Sequence, residues 1–154
     1  MTKNFYLVEH PLIKRDVTIL RDKNTDSETF RSALQRVSNL LAAESSKEFS
    51  LTKIDVETPL EKTEGSKLTN EVILVPVLRA GLGMVNGFLQ IIPEAKVGHI
   101  GLQRDEETLK PIEYYYKVPK NLEFAEVVML DPMLATGGSA SEALKYLKKR
   151  GAIK

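Results

Sequence analysis

Cysteine is absent from this sequence of 154 residues, and so are long apolar runs. Without cysteine the chain cannot form disulfides, use a thiol as nucleophile or bind metal through thiolates. No segment reaches the roughly 20 apolar residues of a membrane-spanning helix, and the first residues lack the apolar centre of a secretion signal. Lys and Arg total 22 against 21 Asp and Glu, so charge predicts neither a nucleic acid nor a membrane as partner. These absences favour a cytoplasmic protein.

Apolar residues make up 42% of the chain, which is enough to bury the core of one domain over residues 1–154. Residues 72–77 and 127–130 are continuously apolar, a pattern typical of parallel strands buried on both faces. Each run is followed by a glycine-containing loop and then by a helical pattern. This order predicts an α/β fold, with an open, mainly parallel sheet and helices on both faces.

Two helices are predicted with capping boxes at their N-termini. The first covers residues 25–44, where apolar residues recur at spacings of three and four, and Thr25 and Glu28 have capping-box spacing. The second covers residues 140–150 and has the same spacing at its start, beginning with Ser139.

Other segments are predicted to be extended or irregular. Residues 51–60 have the composition of a short strand, and residues 61–70 that of a polar connection. Residues 111–124 contain three consecutive tyrosines and predict a β-hairpin arm. Isolated aromatic side chains in strands usually pack against neighbours, so these tyrosines are interpreted as packing residues.

The loop after the second apolar run has the composition of an anion-binding turn. Asp131 ends the strand, and glycine and hydroxyl residues follow: Thr136, Gly137, Gly138 and Ser139. A helix N-terminus offers free backbone N–H groups and a partial positive charge to an anion. A carboxylate repels phosphate but accepts hydrogen bonds from sugar hydroxyls, so the combination indicates a phosphorylated sugar. The alternative is a turn in which local backbone N–H groups hold Asp131, and generic physics leaves both open.

Two arginines also follow predicted strands. Arg79 lies in a loop with Gly81 and Gly83 and could hold a phosphate bidentately. Arg104 lies in the polar segment 103–111, where a surface ion-pair cluster is the simpler interpretation. Arg104 gains functional meaning only if it converges with Arg79 and the loop 131–139 on one ligand.

A dinucleotide site is a competing interpretation of the first glycine loop. Gly81, Gly83 and Gly87 form a loose fingerprint, with Asp105 as the acid for the ribose. The spacing is irregular, however, and the second glycine-rich loop would be left without a role. No P-loop signature is present.

Several motifs resemble those of the uracil phosphoribosyltransferases, which are type I phosphoribosyltransferases of pyrimidine salvage. The stretch VMLDPMLATGGSA resembles the family's loop for phosphoribosyl pyrophosphate (PRPP), including the single-acid form Asp131-Pro132-Met133 of the uracil branch. Three further stretches resemble the pyrophosphate turn, the arginine loop and the N-terminal segment: VPVLRAGLGM, QRDEETLKP and VEHPLIK. The similarity runs from about Val8 to Lys154.

The resemblance implies the reaction of uracil with PRPP to give UMP and pyrophosphate. It implies that Asp131 binds the ribose hydroxyls, that residues 135–139 bind the 5-phosphate, and that Arg79 and Arg104 hold the pyrophosphate. Mg²⁺ is implied as an ion brought by PRPP, with no metal ligand assigned in the protein. The full set implied for PRPP is Arg79, Arg104, Asp131, Pro132, Met133, Leu134, Ala135, Thr136, Gly137, Gly138 and Ser139.

The sequence departs from the family at two places. Gln103 stands where the family usually has tyrosine. The sequence stops at Lys154, whereas family members continue to a C-terminal loop with Pro-Gly and Gly-Asp patterns that recognises uracil. We therefore expect a domain truncated at its C-terminus. No uracil-binding residues are assigned, and the absence of the base-binding end puts the enzymatic activity of the chain in doubt. The open sheet edge that this would leave favours a homo-oligomer.

A different class of function stays open at this point. Some relatives in pyrimidine regulation keep the fold as noncatalytic nucleotide-sensing or RNA-regulating modules, and the near-neutral charge argues against RNA. Some family members are also controlled by GTP, which the resemblance makes a candidate effector.

Overall fold

A computed structural model shows a central β-sheet between helices and describes residues 5–104 and 111–153. The helices are α1 (Pro11–Arg21), α2 (Ser27–Ser45), α3 (Leu82–Ile91) and α4 (Gly138–Lys149), with 3₁₀ turns at Ser46–Glu48 and Leu122–Phe124. The strands are β1 (Leu51–Glu57), β2 (Lys62–Leu68), β3 (Glu71–Leu78), β4 (Lys96–Val97), β5 (His99–Arg104), β6 (Pro111–Lys117) and β7 (Ala125–Leu130). None of the helices in the described ranges is long and apolar enough to cross a membrane.

Strand β3 is the centre of the main sheet. It pairs in parallel with β7 on one side and with β4 and β5 on the other, and β6 adds an antiparallel edge beyond β5. Every residue from Val72 to Val77 is buried, because β3 has neighbours on both sides and helices above and below. The predicted mainly parallel α/β sheet is therefore confirmed.

The two faces of the sheet carry separate apolar clusters. Leu74 on one face packs with Leu34 of α2 and Phe88 of α3. Val75 on the opposite face packs with Leu147 of α4. Helices therefore cover both faces, as predicted, and the three layers leave the strand ends free for function.

The predicted capping boxes are wrong in both helices. Asp26, not Thr25, caps α2, and its side chain accepts hydrogen bonds from the backbone N–H groups of Glu28 and Thr29. At α4, Gly137 occupies the cap position in a left-handed conformation, and no side chain caps the helix. Asp26 caps α2 in place of Thr25 because its short carboxylate reaches two N–H groups from the cap position.

Helix α1 was not predicted, and His10 explains its start. The His10 side chain accepts a hydrogen bond from the Leu12 N–H at 3.2 Å, and Pro11 occupies the first helical position. Proline suits that position because its N–H would be unpaired there in any case. His10 thus has a structural role as the N-cap of α1.

The segment interpreted as a polar connection is a strand. Residues 62–68 form β2, which pairs with β1 in a two-stranded antiparallel hairpin from Leu51↔Leu68 to Glu57↔Lys62. The fold therefore includes a β-hairpin. Residues 111–117, part of the segment 111–124 predicted as an arm, form β6 against β5, and a 3₁₀ turn follows at residues 122–124.

A buried carboxylate joins α1 to α2. The Asp16 side chain is fully buried and accepts two hydrogen bonds from Arg36, both 2.9 Å, and two from Arg15, of 3.0 and 3.1 Å. The Arg36 hydrogen bonds, aided by those of Arg15, lower the pKa of Asp16 despite the opposing effect of burial. The ionised form is therefore the one that the fold stabilises.

We expect Asp16→Asn to lower the free energy of unfolding by about 2 kcal/mol at neutral pH, since hydrogen bonds to a charged group are lost. The contribution is fully present above the ordinary carboxyl pKa of 3.8 and is lost as the pH falls through the lower, folded value. Urea unfolding of both proteins between pH 7 and pH 3 should thus show the difference shrinking in acid. Asp55→Asn, in the exposed hairpin, is the control. A difference that does not change with pH would contradict the assignment.

Candidate functional site

The loops after β3 and β7 begin at one edge of the sheet. Because β5, β3 and β7 are parallel neighbours, their carboxyl ends lie together. Leu78 near the end of β3 pairs with Gly101 of β5, and Pro76 pairs with Leu130, the last residue of β7. In open α/β sheets ligands bind beyond this edge, so the loops after Leu78 and Leu130 face a common space.

Gly81 brings these two loops into direct contact. A Cβ placed on Gly81 would lie 2.4 Å from the carbonyl oxygen of Leu130 and 2.7 Å from the backbone nitrogen of Val77. Those atoms belong to backbone and cannot turn aside as a side chain can. Only glycine therefore allows the turn after β3 to lie against the residue that precedes Asp131.

Arg79 extends from this turn into solvent. Its side chain is exposed, and within residues 5–104 and 111–153 it forms no ion pair. The peptide bond between Leu78 and Arg79 is cis. A solvated guanidinium at the end of a central strand can take an anion bidentately without first breaking another contact.

Asp131 is half-buried at the start of the second loop. One of its oxygens accepts a hydrogen bond from the backbone N–H of Met133 at 3.1 Å, so the local turn expected as the alternative interpretation does form. This contact within the described part of the chain leaves the carboxylate with further acceptor positions. Asp131 can therefore stabilise the turn and, at the same time, accept hydrogen bonds from hydroxyl groups of a ligand.

The rest of this loop is shaped for backbone contact with a ligand. Ala135 has φ of 46° and Gly137 has φ of 75°, both left-handed, and the Gly137 N–H donates to the Leu134 carbonyl at 2.7 Å. Residues 132–136 are exposed. Because no side chain of the described residues caps α4, its first N–H groups can bind an anion, aided by the helix dipole.

The far end of α4 is fixed to the sheet. Arg150, which follows the helix, donates two hydrogen bonds of 2.8 Å to Glu113 of β6, and its guanidinium lies 3.9 Å from the centre of the Tyr116 ring. Burial raises the pKa of Tyr116, so the phenol stays neutral beneath the cation. These contacts hold the helix whose N-terminus forms the site.

Of the remaining predicted residues, some lie outside the described part of the chain and others have a packing role. Arg104 ends β5 at the same edge of the sheet, but its side chain lies outside the described part, as do Asp105 and residues 106–110. A Cβ on Gly83 would meet the Leu34 side chain, and one on Gly87 would meet α2 at Ser38. Packing of α3 on α2 thus accounts for two glycines of the proposed dinucleotide fingerprint.

Carboxylate oxygens are the protein ligands that Mg²⁺ prefers. Among the described residues no cluster of three or more His, Asp or Glu side chains could hold a metal ion. The described residues at this edge are therefore compatible with Mg²⁺ that arrives in complex with a phosphorylated ligand.

Solved structures identify the class of fold. Over 79% of this chain, a purine phosphoribosyltransferase from Pyrococcus horikoshii superposes with a TM-score of 0.56 at 17% identity, and 67% of that chain is covered. A hypoxanthine phosphoribosyltransferase from Staphylococcus aureus superposes with a TM-score of 0.52 over 80% of this chain and 59% of its own, at 12% identity. The fold is that of the type I phosphoribosyltransferases.

Sequence comparisons identify the family. The family model for uracil phosphoribosyltransferase matches residues 7–154. A uracil phosphoribosyltransferase from Finegoldia magna is 54% identical over 93% of this chain and 69% of its own length, and one from Alkaliphilus oremlandii is 50% identical over 95% and 70%. The solved AQ2163 protein of Aquifex aeolicus has a TM-score of 0.89 at 39% identity, covering 97% of this chain and 72% of its own. The chain belongs to the uracil phosphoribosyltransferase family, whose members are enzymes of the glycosyltransferase type.

The sequence did not predict how the loops meet. The contact of Gly81 with the Leu130 carbonyl depends on the pairing of β3 with β7, which are separated by about fifty residues in the sequence. The glycine itself was the available signal, since a glycine directly after a buried strand often permits a close backbone approach.

Proposed function

We propose that this chain binds PRPP at the carboxyl edge of the sheet and transfers its phosphoribosyl group to uracil, giving UMP and pyrophosphate. A uracil nitrogen forms a bond to the anomeric carbon while the bond from that carbon to the pyrophosphate oxygen breaks. The nitrogen loses its proton, and pyrophosphate leaves with the electron pair of the broken bond. Family membership supports this reaction, and the relatives named above carry its name.

The contact between Gly81 and the Leu130 carbonyl is the observation that carries the proposal. It joins a loop with a solvated arginine to a loop with a carboxylate, left-handed turns and an uncapped helix. PRPP carries a diphosphate and a 5-phosphate on one ribose. Its recognition needs cationic groups, a carboxylate for the ribose hydroxyls and backbone N–H groups together. Neither loop alone supplies all three.

The proposed roles follow from the chemistry of each group. Asp131 accepts hydrogen bonds from the ribose hydroxyls, and residues 135–139 surround the 5-phosphate with N–H and hydroxyl groups. Arg79 and Arg104 hold the pyrophosphate. Positive charge develops on the ribose ring and negative charge on the leaving pyrophosphate, so fixed charges and orientation supply most of the catalysis. No side-chain nucleophile is needed.

Mg²⁺ is proposed to arrive with PRPP and to neutralise part of the pyrophosphate charge. Within the described ranges, Asp131 is the carboxylate that directly follows a strand at this edge, and its proposed role is toward the ribose. The chain's own part is therefore to orient the complex through Arg79 and the backbone N–H groups of α4.

The decisive test is UMP formation from uracil and Mg-PRPP by the purified chain and by Asp131→Asn. We expect the substitution to reduce kcat/KM about a hundredfold, because removing a group that stabilises the transition state has effects of that order. The amide keeps the size of the side chain and can still accept the Met133 N–H, so the local turn should survive. Measurement of radiolabelled uracil incorporation gives both constants.

The matched control is Asp55→Asn in the β1–β2 hairpin, which is exposed and should leave kcat/KM unchanged. UMP formation equal in the wild-type chain and Asp131→Asn would remove Asp131 from the proposed site. No UMP from the wild-type chain, with PRPP binding intact, would limit the proposal to PRPP recognition.

A further inference from the structure

The pairing of β5 with β6 has one irregularity, and it lies beside the candidate site. Gly101 pairs with Tyr115 and Leu102 pairs with Glu113, which leaves Tyr114 as the extra residue of a β-bulge. Bulges re-aim side chains and are frequent next to active sites. The direction of the Tyr114 side chain is therefore of functional interest.

The Tyr114 ring crosses from β6 over the backbone of β5. A Cβ placed on Gly101 would lie 2.5 Å from Cζ of Tyr114 and 2.8 and 2.9 Å from its two Cε atoms. The ring atoms nearest to Gly101 are thus those at the hydroxyl end. Glycine at position 101 leaves the room that this end of the ring occupies.

Beyond Gly101 the next strand is β3. Gly101 pairs with Leu78, and Arg79 follows at once. Neighbouring strands lie about 4.8 Å apart, and the phenol oxygen is one bond beyond Cζ, farther from β6. The hydroxyl therefore extends toward the end of β3 where Arg79 begins.

The surroundings leave this hydroxyl available. Ile100, the neighbour of Gly101, packs in the cluster on the α4 face, so Gly101 and the Tyr114 ring lie on the opposite face, where α3 begins. Tyr114 is 50% exposed. In the described part of the chain its hydroxyl has no hydrogen-bond partner.

We infer that the Tyr114 hydroxyl is a ligand of the pyrophosphate group of PRPP, donating a hydrogen bond to a phosphate oxygen beside Arg79. The inference rests on the proposed function. Arginine supplies charge and the phenol supplies a neutral, directed donor held by the bulge. The adjacent tyrosines are placed differently: Tyr116 packs on the α4 face, and the three atoms nearest to a Cβ on Gly101 all belong to Tyr114 and none to Tyr115.

Isothermal titration with three ligands tests the contact: Mg-PRPP, Mg-pyrophosphate and ribose 5-phosphate. Tyr114→Phe keeps the ring and removes only the hydroxyl, so the fold should be retained. We expect the Kd of PRPP and of pyrophosphate to rise about tenfold, as for loss of a hydrogen bond to a charged group. The Kd of ribose 5-phosphate should not change.

Tyr115→Phe is the matched control and should leave all three Kd values unchanged. Gly101→Ala should weaken PRPP and pyrophosphate binding like Tyr114→Phe, since its Cβ displaces the hydroxyl end of the ring, and should add little to the double variant. Unchanged binding by Tyr114→Phe, or an equal loss for ribose 5-phosphate, would overturn the inference while the proposed function stands. A wild-type chain that binds neither PRPP nor pyrophosphate would overturn both.

Discussion

Arg79→Ala should reduce kcat/KM for PRPP by about a hundredfold to a thousandfold, as expected for loss of a fixed charge that stabilises a leaving group. The guanidinium is exposed and has no competing ion pair in the described part of the chain. Its removal should therefore cost little stability, and the loss should appear in catalysis. Steady-state kinetics with varied PRPP, together with thermal unfolding, separates the two effects.

Arg79→Lys refines this prediction. Lysine keeps the charge but not the paired N–H groups, so activity should lie between those of the wild type and Arg79→Ala. Arg31→Ala, at an exposed position of α2, is the control for loss of a surface arginine and should leave kcat/KM unchanged. If Arg79→Ala and Arg31→Ala behave alike, Arg79 does not bind the pyrophosphate.

Gly81→Ala should damage the fold and the site together. The new Cβ would lie 2.4 Å from the Leu130 carbonyl oxygen and 2.7 Å from the Val77 nitrogen, so backbone must move at the ends of both β3 and β7. We expect a loss of about 3 kcal/mol in the free energy of unfolding, at the upper end of the usual cost of overpacking. PRPP binding should weaken as well, because the two loops separate.

Gly83→Ala provides the comparison within the same turn and helix. Its Cβ would meet only Cδ2 of Leu34 at 2.7 Å, the far end of a side chain that can rotate. Urea unfolding and PRPP titration of both variants would measure the difference. Equal stability of the two variants would show that the Gly81 contact does not hold the loops together.

The local sequence was sufficient to predict a strand where its residues are completely buried. Residues 72–77 were predicted as a central strand because a strand covered on both faces must be apolar throughout, and β3 is buried over those residues. The apolar run 127–130 was also predicted as a buried strand, but it belongs to β7, which pairs with β3 and is half-buried at residues 126–129. The loops after them were recognised by composition, since acid, hydroxyl and paired glycine residues have few uses in a plain turn. Motif resemblance then pointed to the family that the comparisons confirmed.

Prediction failed where the determining interaction was weak or distant. Strand β2 is polar and almost wholly exposed, so no apolar alternation distinguished it from a loop, and only pairing with β1 makes it a strand. Helix α1 is short and depends on its packing with α2 through Asp16. Capping boxes failed because their spacing recurs by chance, and a neighbouring Asp26 or a left-handed Gly137 was better placed.

Local sequence patterns were enough to predict the apolar strands, the chemistry of the loops after them and the family, because each pattern consists of residues close together in the chain. The tertiary structure was needed to show that Gly81 touches the end of β7, that no side chain of the described residues caps α4, and that a bulge places the Tyr114 ring against Gly101. Those features depend on strand register and close backbone packing between segments far apart in sequence, and no local pattern encodes such distances.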